Sequence, residues 1–557
     1  MLLRERLGWR ASIPSGMEAA TGFAMSSFPS DTFSHDNFTL DSFRHLETQG
    51  RIANIRYSQS MANRLYSYTM KWISFLSGFI FLTGCLLVSC QSGSSNSSDV
   101  RDRPPNVVLI FMDDMGWGDL SSFGHPTIQT PNLDRIAREG QKWTNFYTAC
   151  SVCSPSRGAL MTGRYPIRIG LGPTEEPKRV FFPNSTGGLP NSEITIAEML
   201  KEEGYETGII GKWHLGHLPQ YLPTQQGFDY YYGIPYSNDM NAVGGWKVET
   251  FFKEPNINYW DVPLMENETE IERPANQHTI TKRYTEKAVE FITQNKDNPF
   301  FLYFPQTMVH TPLFASESFL NTSKRGFYGD VMAEVDWSVG QVISTLESLN
   351  LDKNTLVIFT SDNGPWLMML DHGGSAGLLT DGKGTTWEGG MRVPGIFYMP
   401  GTVQAGTITD LGSTLDILPT VAGLTGATPP SDRPMDGYNL MPVLTEKAAS
   451  PRDHFVYYRL QNIHAIRKGD YKAHFTTETC YVADTRKTQH TPPLLFNVNE
   501  DPSEKYDRAE SKPEVLAELV RLAEEHKKGV TAAECELNKY PPTGEEEPDR
   551  PFDEEAK

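Results

Sequence analysis

The sequence predicts a layered α/β fold on a mostly parallel sheet, followed by a smaller α+β domain. Three observations predict it. From Pro104 onward, β-rich apolar runs alternate with helical stretches, the order that feeds parallel strands through helical crossovers. The runs "NVVLIFMDD", "TGIIGKWH", "FFLYFPQTMVH" and "TLVIFTSDNG" read as strands buried on both faces, and each ends abruptly in polar residues. Beyond about Thr428 the chain changes to a Pro-rich linker, shorter strands such as "HFVYYRL" and "YKAHFTT", and one helix near 513–527.

In chain order, residues 1–69 are polar, Ser-rich and without sustained periodicity, and are expected to be a disordered upstream extension outside the working protein. Residues 70–103 read as a secretory signal and tether. Lys71 follows Met70, a short apolar run comes next, and the segment ends in small residues. The run is short for a membrane span, which needs ~20 apolar residues. Leu87-Val88-Ser89-Cys90 resembles the lipobox of bacterial lipoproteins, which makes Cys90 the expected lipidation site. Leu82-Thr83-Gly84-Cys85 also matches, but apolar residues follow it. An internal signal implies a start at Met70 and an exported protein, anchored by lipid in a bacterial periplasm or at the cell surface. In a eukaryotic host the destination is secretory or lysosomal, and only there do the sequons at Asn37, Asn96, Asn184, Asn267 and Asn321 matter.

The main domain is expected over residues 104–428. In "TPNLDRIAREG", Thr130 suits an N-cap, Pro131 a first turn and Gly140 a helix end. "TIAEMLKEEG" and "VMAEVDWSVGQVISTLESL" have helical apolar spacing. The smaller domain follows over 429–540, and an acidic disordered tail over 541–557.

Composition narrows the function. The 557 residues are 38% hydrophobic, enough for a large core. Lys and Arg total 50 against 69 Asp and Glu, a formal charge of −19 that argues against a nucleic-acid partner. An anionic substrate must therefore be held by local cations. The 6 cysteines are too scattered for a disulfide framework, although Cys480 and Cys535 can pair in an oxidising compartment.

Ligands of open α/β sheets bind outside the carboxyl ends of the strands. Those ends supply Asp113 and Asp114, Lys212 with Trp213 and His214, His310, and Asp362 with Asn363. Three carboxylates and an amide are hard oxygen donors that suit Ca²⁺ or Mg²⁺ and not zinc. Each pair alone is more often a turn or cap; together, on two strands of one sheet, they point to a metal.

"CSVCSPSRGALMTGR", from Cys150, falls between the first two of these strands. Ser154 suits an N-cap and Pro155 a first helical residue, with the helix running through Arg157 to Thr162. Cys153 then lies at the positive end of a helix, where anions are favoured, with Arg157 one turn away. The residue types leave two readings open beside that of an anion site: a buried small hydrophobe or a nucleophilic thiolate.

Cys153-Ser154-Pro155-Ser156-Arg157 followed by "GALMTGR" resembles the Cys-x-Pro-x-Arg signature of type I sulfatases, whose maturation enzyme oxidises the cysteine to Cα-formylglycine. "GKWHLG" (211–216), "GKGTTWEGGMR" (382–392) and "LLFNVNEDPSEKYD" (494–507) are also sulfatase-like, and the resemblance covers about residues 104–530. "GIPYSND" and "YKAHF" bring it nearest to the arylsulfatase A and N-acetylgalactosamine-6-sulfatase branch.

The resemblance implies an alkaline-phosphatase-like large domain, a C-terminal antiparallel sheet, and sulfuric ester hydrolysis. It implies that Asp113, Asp114, Asp362, Asn363 and the group made from Cys153 hold Ca²⁺, with Mg²⁺ as the substitute. Arg157 and Lys212 would steady the formylglycine hydrate, and His214 would be the base for its second hydroxyl. His310 and Lys383 would bind sulfate and protonate the leaving alcohol. The implied partners are sulfated carbohydrates or aryl sulfates and a formylglycine-generating maturase. Two rivals remain at this point: a phosphodiester or phosphonate hydrolase of the same superfamily, and a sulfated-glycan-binding protein without turnover. Trp213 and Cys150 read as structural, while Asp239 and His372 lie in loops able to reach substrate.

Overall fold

In a computed structural model of the chain, residues 103–174, 178–244, 256–479 and 487–541 are described. They belong to one compact unit, Asn96–Lys557. The expected extension over 1–69, the signal with Cys85 and Cys90, Cys480, and the acidic tail beyond Pro541 lie outside these residues. Among the described residues no helix is long and apolar enough to cross a membrane.

The large sheet begins with β1 (Asn106–Met112), β2 (Gln141–Tyr147), β3 (Glu206–Ile210), β4 (Tyr230–Gly233), β5 (Leu264–Glu266) and β6 (Thr269–Glu272). It continues with β7 (Phe300–Pro305), β8 (Thr355–Ser361), β9 (Arg392–Tyr398), β10 (Gly406–Ile408) and β11 (Gly412–Ser413). The strand order is β10-β2-β9-β8-β1-β7-β3-β4-β5-β6, with β11 beside β2. At its centre β8, β1, β7, β3 and β4 run parallel; β9 lies antiparallel to both β8 and β2, and β5 and β6 close the far edge as antiparallel strands. A second, four-stranded antiparallel sheet comprises β12 (His454–Arg459), β13 (Asn462–Lys468), β14 (Tyr471–Glu478) and β15 (Lys487–Asn497).

The helices that bear on the site are α1 (Pro131–Glu139), α2 (Cys153–Thr162), α3 (Ile196–Glu202), α4 (Ile280–Gln294), α5 (Phe327–Ser348) and α6 (Pro513–Lys528). Strand β1 explains the layering. Val108, Ile110 and Met112 face a core shared with α4 and α5, whereas Val107, Leu109 and Phe111 face a core shared with α2 and α3. Period-2 alternation thus puts apolar side chains on both faces, so the strand is apolar throughout. A third cluster joins Phe455 and Tyr457 of the small sheet to Leu516 and Leu519 of α6. Leu109→Ala is expected to destabilise the protein by ~2–5 kcal/mol through the cavity it leaves. The check is a lower denaturant midpoint at unchanged slope.

Two local expectations need correction. Helix α2 begins at Cys153, not after Ser154, and Val152 occupies the cap position without a side-chain bond. The Ser154 hydroxyl instead accepts the Phe181 N–H at 3.1 Å. Pro155 is therefore the third helical residue, still within the turn where a missing N–H costs nothing. At α1, Thr130 stands at the cap position but its hydroxyl is engaged by Ser121 and Asp134. Thr195 at α3 does close a capping box with Glu198.

Candidate active site

Parallel register brings the candidate residues to one edge. Met112 pairs with Ser361 and Phe111 with Pro305, so the residues that leave β1, β8 and β7 emerge side by side. Asp113 and Asp114 follow β1, Asp362 and Asn363 follow β8, and Lys212 and His214 follow β3. His310 departs from expectation: β7 stops at Pro305, and the histidine sits five residues on, in the loop.

Asp113 is the electrostatic centre. It is fully buried, with Lys212 Nζ 2.5 Å from its Oδ2 and Arg157 Nη2 3.4 Å from its Oδ1. The Cys153 thiol lies 3.5 Å from the same Oδ1. Burial alone would raise its pKa, but Lys212, His310, Arg157 and Lys383 overcome that and hold the carboxyl well below the usual range. Arg157, wholly buried near the Phe111 ring, also reaches Asp362 Oδ2 with Nη2 at 2.8 Å and Nε at 3.1 Å.

Asp114 takes a left-handed backbone, φ +57°, which turns its carboxylate toward a second cluster. Its Oδ1 accepts the Asn363 amide at 2.7 Å, and its Oδ2 accepts Lys383 Nζ at 2.8 Å. Lys383 Nζ also donates to His310 Nε2 at 3.0 Å, and both groups face the Trp366 ring. His310 Nδ1 lies 2.5 Å from the Thr311 carbonyl and 3.1 Å from Asn238 Oδ1. A carbonyl can only accept, so Nδ1 carries the proton and Nε2 is the acceptor for Lys383. Burial first and Lys383 second push His310 below its ordinary pKa, consistent with a neutral ring.

His214 is built by the same logic. Its Nε2 lies 2.9 Å from the Phe181 carbonyl, while its buried Nδ1 has no hydrogen-bond partner. Burial, then Lys212 and Arg157, depress its pKa well below the ordinary value. The result is a neutral imidazole with its Nδ1 lone pair uncommitted, the form a base requires.

Cys153 behaves differently from the helix-end expectation. Burial pushes its thiol well above the ordinary range, and the opposing pull of Lys212 and Lys383 does not cancel this. The thiolate is therefore scarce at neutral pH, which argues against the plain thiolate reading.

Ligand atoms of Asp113, Asp114, Cys153 and His310 lie within 4.8 Å of one another, close enough for one ion. Asn363 Oδ1 is buried and has no hydrogen-bond partner, an acceptor left for a cation. Asp362 Oδ1 accepts the Asp114 N–H at 3.1 Å, which places it beside this group. Carboxylate and amide oxygens next to lysines fit a hard divalent cation.

Sequence reasoning missed Ser237 and Asn238, although "GIPYSND" contains them: Ser237 Oγ receives Lys212 Nζ at 3.2 Å, and Asn238 orients His310. It also missed Trp366, for which an aromatic after Asn-Gly-Pro was the available signal. Trp213 is buried against Phe228, with its indole N–H on the Tyr221 carbonyl. Cys150 is half-buried, its thiol raised by burial to about 11. His372 packs against Phe327, and Asp239 is half-buried and acts electrostatically on His310.

The chain matches two family models: Sulfatase over residues 105–427 and the C-terminal region of aryl-sulfatase over 450–548. It is 42% identical to arylsulfatase A of Homo sapiens over 452 residues, 75% of this chain and 87% of that one. It is 40% identical to N-acetylgalactosamine-6-sulfatase of Mus musculus over 465 residues, 78% of this chain and 88% of that one. The crystal structure of PsFucS1 sulfatase from Pseudoalteromonas sp. superposes with a TM-score of 0.67 at 28% identity, covering 79% and 92% of the two chains. The large sheet with helices on both faces is thus the alkaline-phosphatase-like architecture that the resemblance implies.

Proposed function

The chain belongs to the sulfatase family and is a sulfuric ester hydrolase, and we propose that it desulfates sulfated sugars through a formylglycine made from Cys153. The observation that carries the reading is the convergence on Cys153 and Asp113 of Lys212, Arg157 and a paired Lys383–His310, in a chain whose overall charge is −19. Only such local cations can hold a sulfate against that overall charge.

Asp113, Asp114, Asp362, Asn363 and the converted Cys153 would hold Ca²⁺, with Mg²⁺ as the substitute. The ion would polarise the ester and lower the pKa of a bound hydroxyl. The formylglycine made from Cys153 would supply, as its hydrate, a nucleophilic hydroxyl and a second hydroxyl able to expel sulfate. Arg157 and Lys212 neutralise charge around that group. Lys383 and His310, hydrogen-bonded to each other, would bind sulfate and protonate the departing alcohol. His214 Nδ1 takes the proton of the second hydroxyl.

The substrate class rests on similarity to a protein named for an amino-sugar sulfate and on the export signal read at 70–103. Aryl sulfates are expected to be accepted in vitro. Export, a lipid anchor at Cys90, a separate maturase, and division of the chain near residue 428 into a catalytic and a smaller domain belong to the same proposal.

The test is hydrolysis by matured enzyme of paired esters that share one alcohol. Sulfate should turn over faster than the phosphodiester or phosphonate counterpart; the reverse order, or tight binding of sulfated glycans without turnover, overturns the reading. His310→Ala should lower kcat/KM by about 10²–10⁴-fold, as loss of acid–base help does. The loss should be greater for a sugar sulfate than for an activated aryl sulfate, whose alcohol needs no proton. Because His214 is held neutral, kcat should persist as pH falls through about 6.5, where an ordinary imidazole protonates. A kcat limb at that pH that disappears in His214→Ala counts against this.

A further inference from the structure

Two sulfatase-like motifs, "YKAHF" and "LLFNVNEDPSEKYD", supply none of the residues above, yet they grip the loop that carries Lys383. Glu504 Oε2 accepts the Glu388 N–H at 2.8 Å. Lys472 Nζ, on β14, donates to the Thr386 carbonyl at 2.8 Å and to Glu388 Oε1 at 3.0 Å. Glu504 Oε1 in turn lies 3.0 Å from Lys472 Nζ and 2.7 Å from His474 Nε2. His474 packs on Trp387, ring centroids 4.6 Å apart. On the other flank of Lys383, the Ser503 carbonyl accepts Thr380 Oγ1 at 2.6 Å and Ser503 Oγ donates to the Leu378 carbonyl at 2.5 Å.

We propose that Lys472, Ser503 and Glu504 form a latch by which the C-terminal sheet region positions Lys383 in the active site. Residues 378–388 are held on both sides of the lysine by this latch. From the large domain's own loops, the Pro365 and Ser151 carbonyls accept the Lys383 and Gly384 amides. The latch is built at a cost that packing alone would not explain. Lys472 and Glu504 are buried, and a buried ion pair is no more stabilising than a well-packed apolar pair. Glu504 further adopts φ +51°, a left-handed conformation disfavoured for a residue with a side chain. What the arrangement secures is geometry: Lys383 Nζ must sit between Asp114 and His310, where displacement by ~1 Å costs about 10²-fold in rate.

The inference rests on the reading that Lys383 binds sulfate. Its test uses the full, matured chain with Glu504→Gln, Lys472→Met, their double variant, and Val342→Ala in α5 as a stability control away from the latch. Measured are kcat, KM, inhibition by inorganic sulfate, and amide exchange over residues 378–388. The single latch variants should lose about tenfold in kcat/KM. They should bind inorganic sulfate more weakly and exchange faster over 378–388, while Val342→Ala lowers the thermal midpoint and leaves kcat and sulfate inhibition unchanged. If Lys472→Met does not fold, the double variant, which removes one charge of each sign, gives the same readouts. Unchanged kcat, sulfate inhibition and exchange in folded latch variants overturn the latch. If the matured wild type cleaves no sulfate ester, the functional reading fails instead, and exchange over 378–388 alone decides whether the latch exists.

Discussion

Replacing Cys153 by alanine is expected to abolish turnover, a fall in kcat on the order of 10⁴-fold or more, as removal of a covalent nucleophile gives elsewhere. The reason lies in what a thiol can and cannot do here. Sulfur attack by a thiolate would leave an S-sulfonate with no easy exit, and the thiol of Cys153 is held protonated by burial in any case. An aldehyde hydrate escapes both problems, because its second hydroxyl can expel sulfate without a further nucleophile. Cys153→Ser should be as inactive as alanine unless the host's maturase also converts serine. The decisive measurement is mass spectrometry of the tryptic peptide "WTNFYTACSVCSPSR", alongside turnover. An aldehyde at Cys153 in active preparations and a thiol in inactive ones supports the mechanism. An unmodified Cys153, or an unmodified serine variant, with full activity would sink it.

The strand ends were legible because burial on both faces writes a strand as an apolar run, and the break to charge marks where it leaves the sheet. That is why Asp113, Asp362 and Lys212 could be placed from sequence. His310 was placed less well. "FFLYFPQTMVH" reads as one apolar run, but the chain leaves the sheet at Pro305, and only the fold shows the histidine returning to face Lys383. The protonation state of Cys153 was not legible for a different reason. A helix N-terminus and nearby lysines favour the anion, yet complete burial outweighs them, and burial is not written in local sequence. The latch was out of reach altogether, since Glu504 and Glu388 are 116 residues apart and neither carries a local signal of its partner.

Asp113→Asn should cost nearly as much activity as loss of the nucleophile, and stability as well. The wild-type carboxylate accepts Lys212, faces Arg157 and lies beside Cys153, all without access to water. Losing one member of a buried charge pair costs about 3–5 kcal/mol, because the remaining cations stay buried. A drop in the thermal midpoint is therefore expected even without metal. If the site also holds Ca²⁺, the same change removes a hard donor and with it several kcal/mol of charge stabilisation, roughly 10³-fold in rate. Asn363→Ala separates the two effects. Its Oδ1 has no hydrogen-bond partner in the protein, so its loss weakens the ion. Losing the amide's bonds to Asp114 Oδ1 and the Gly364 carbonyl lowers the metal-free midpoint by only the ~1–3 kcal/mol of an orphaned buried acceptor, with no buried charge left unpaired. Added Ca²⁺ should then restore Asn363→Ala and not Asp113→Asn. The wild-type midpoint should rise with Ca²⁺, by an amount equivalent to ~2.7 kcal/mol at a hundredfold excess over Kd, and fall again with chelator. A wild-type midpoint indifferent to Ca²⁺, Mg²⁺ and chelator, with activity intact, would leave Asp113 as a counter-charge for Lys212 and Arg157, and the orphaned amide oxygen without a cation.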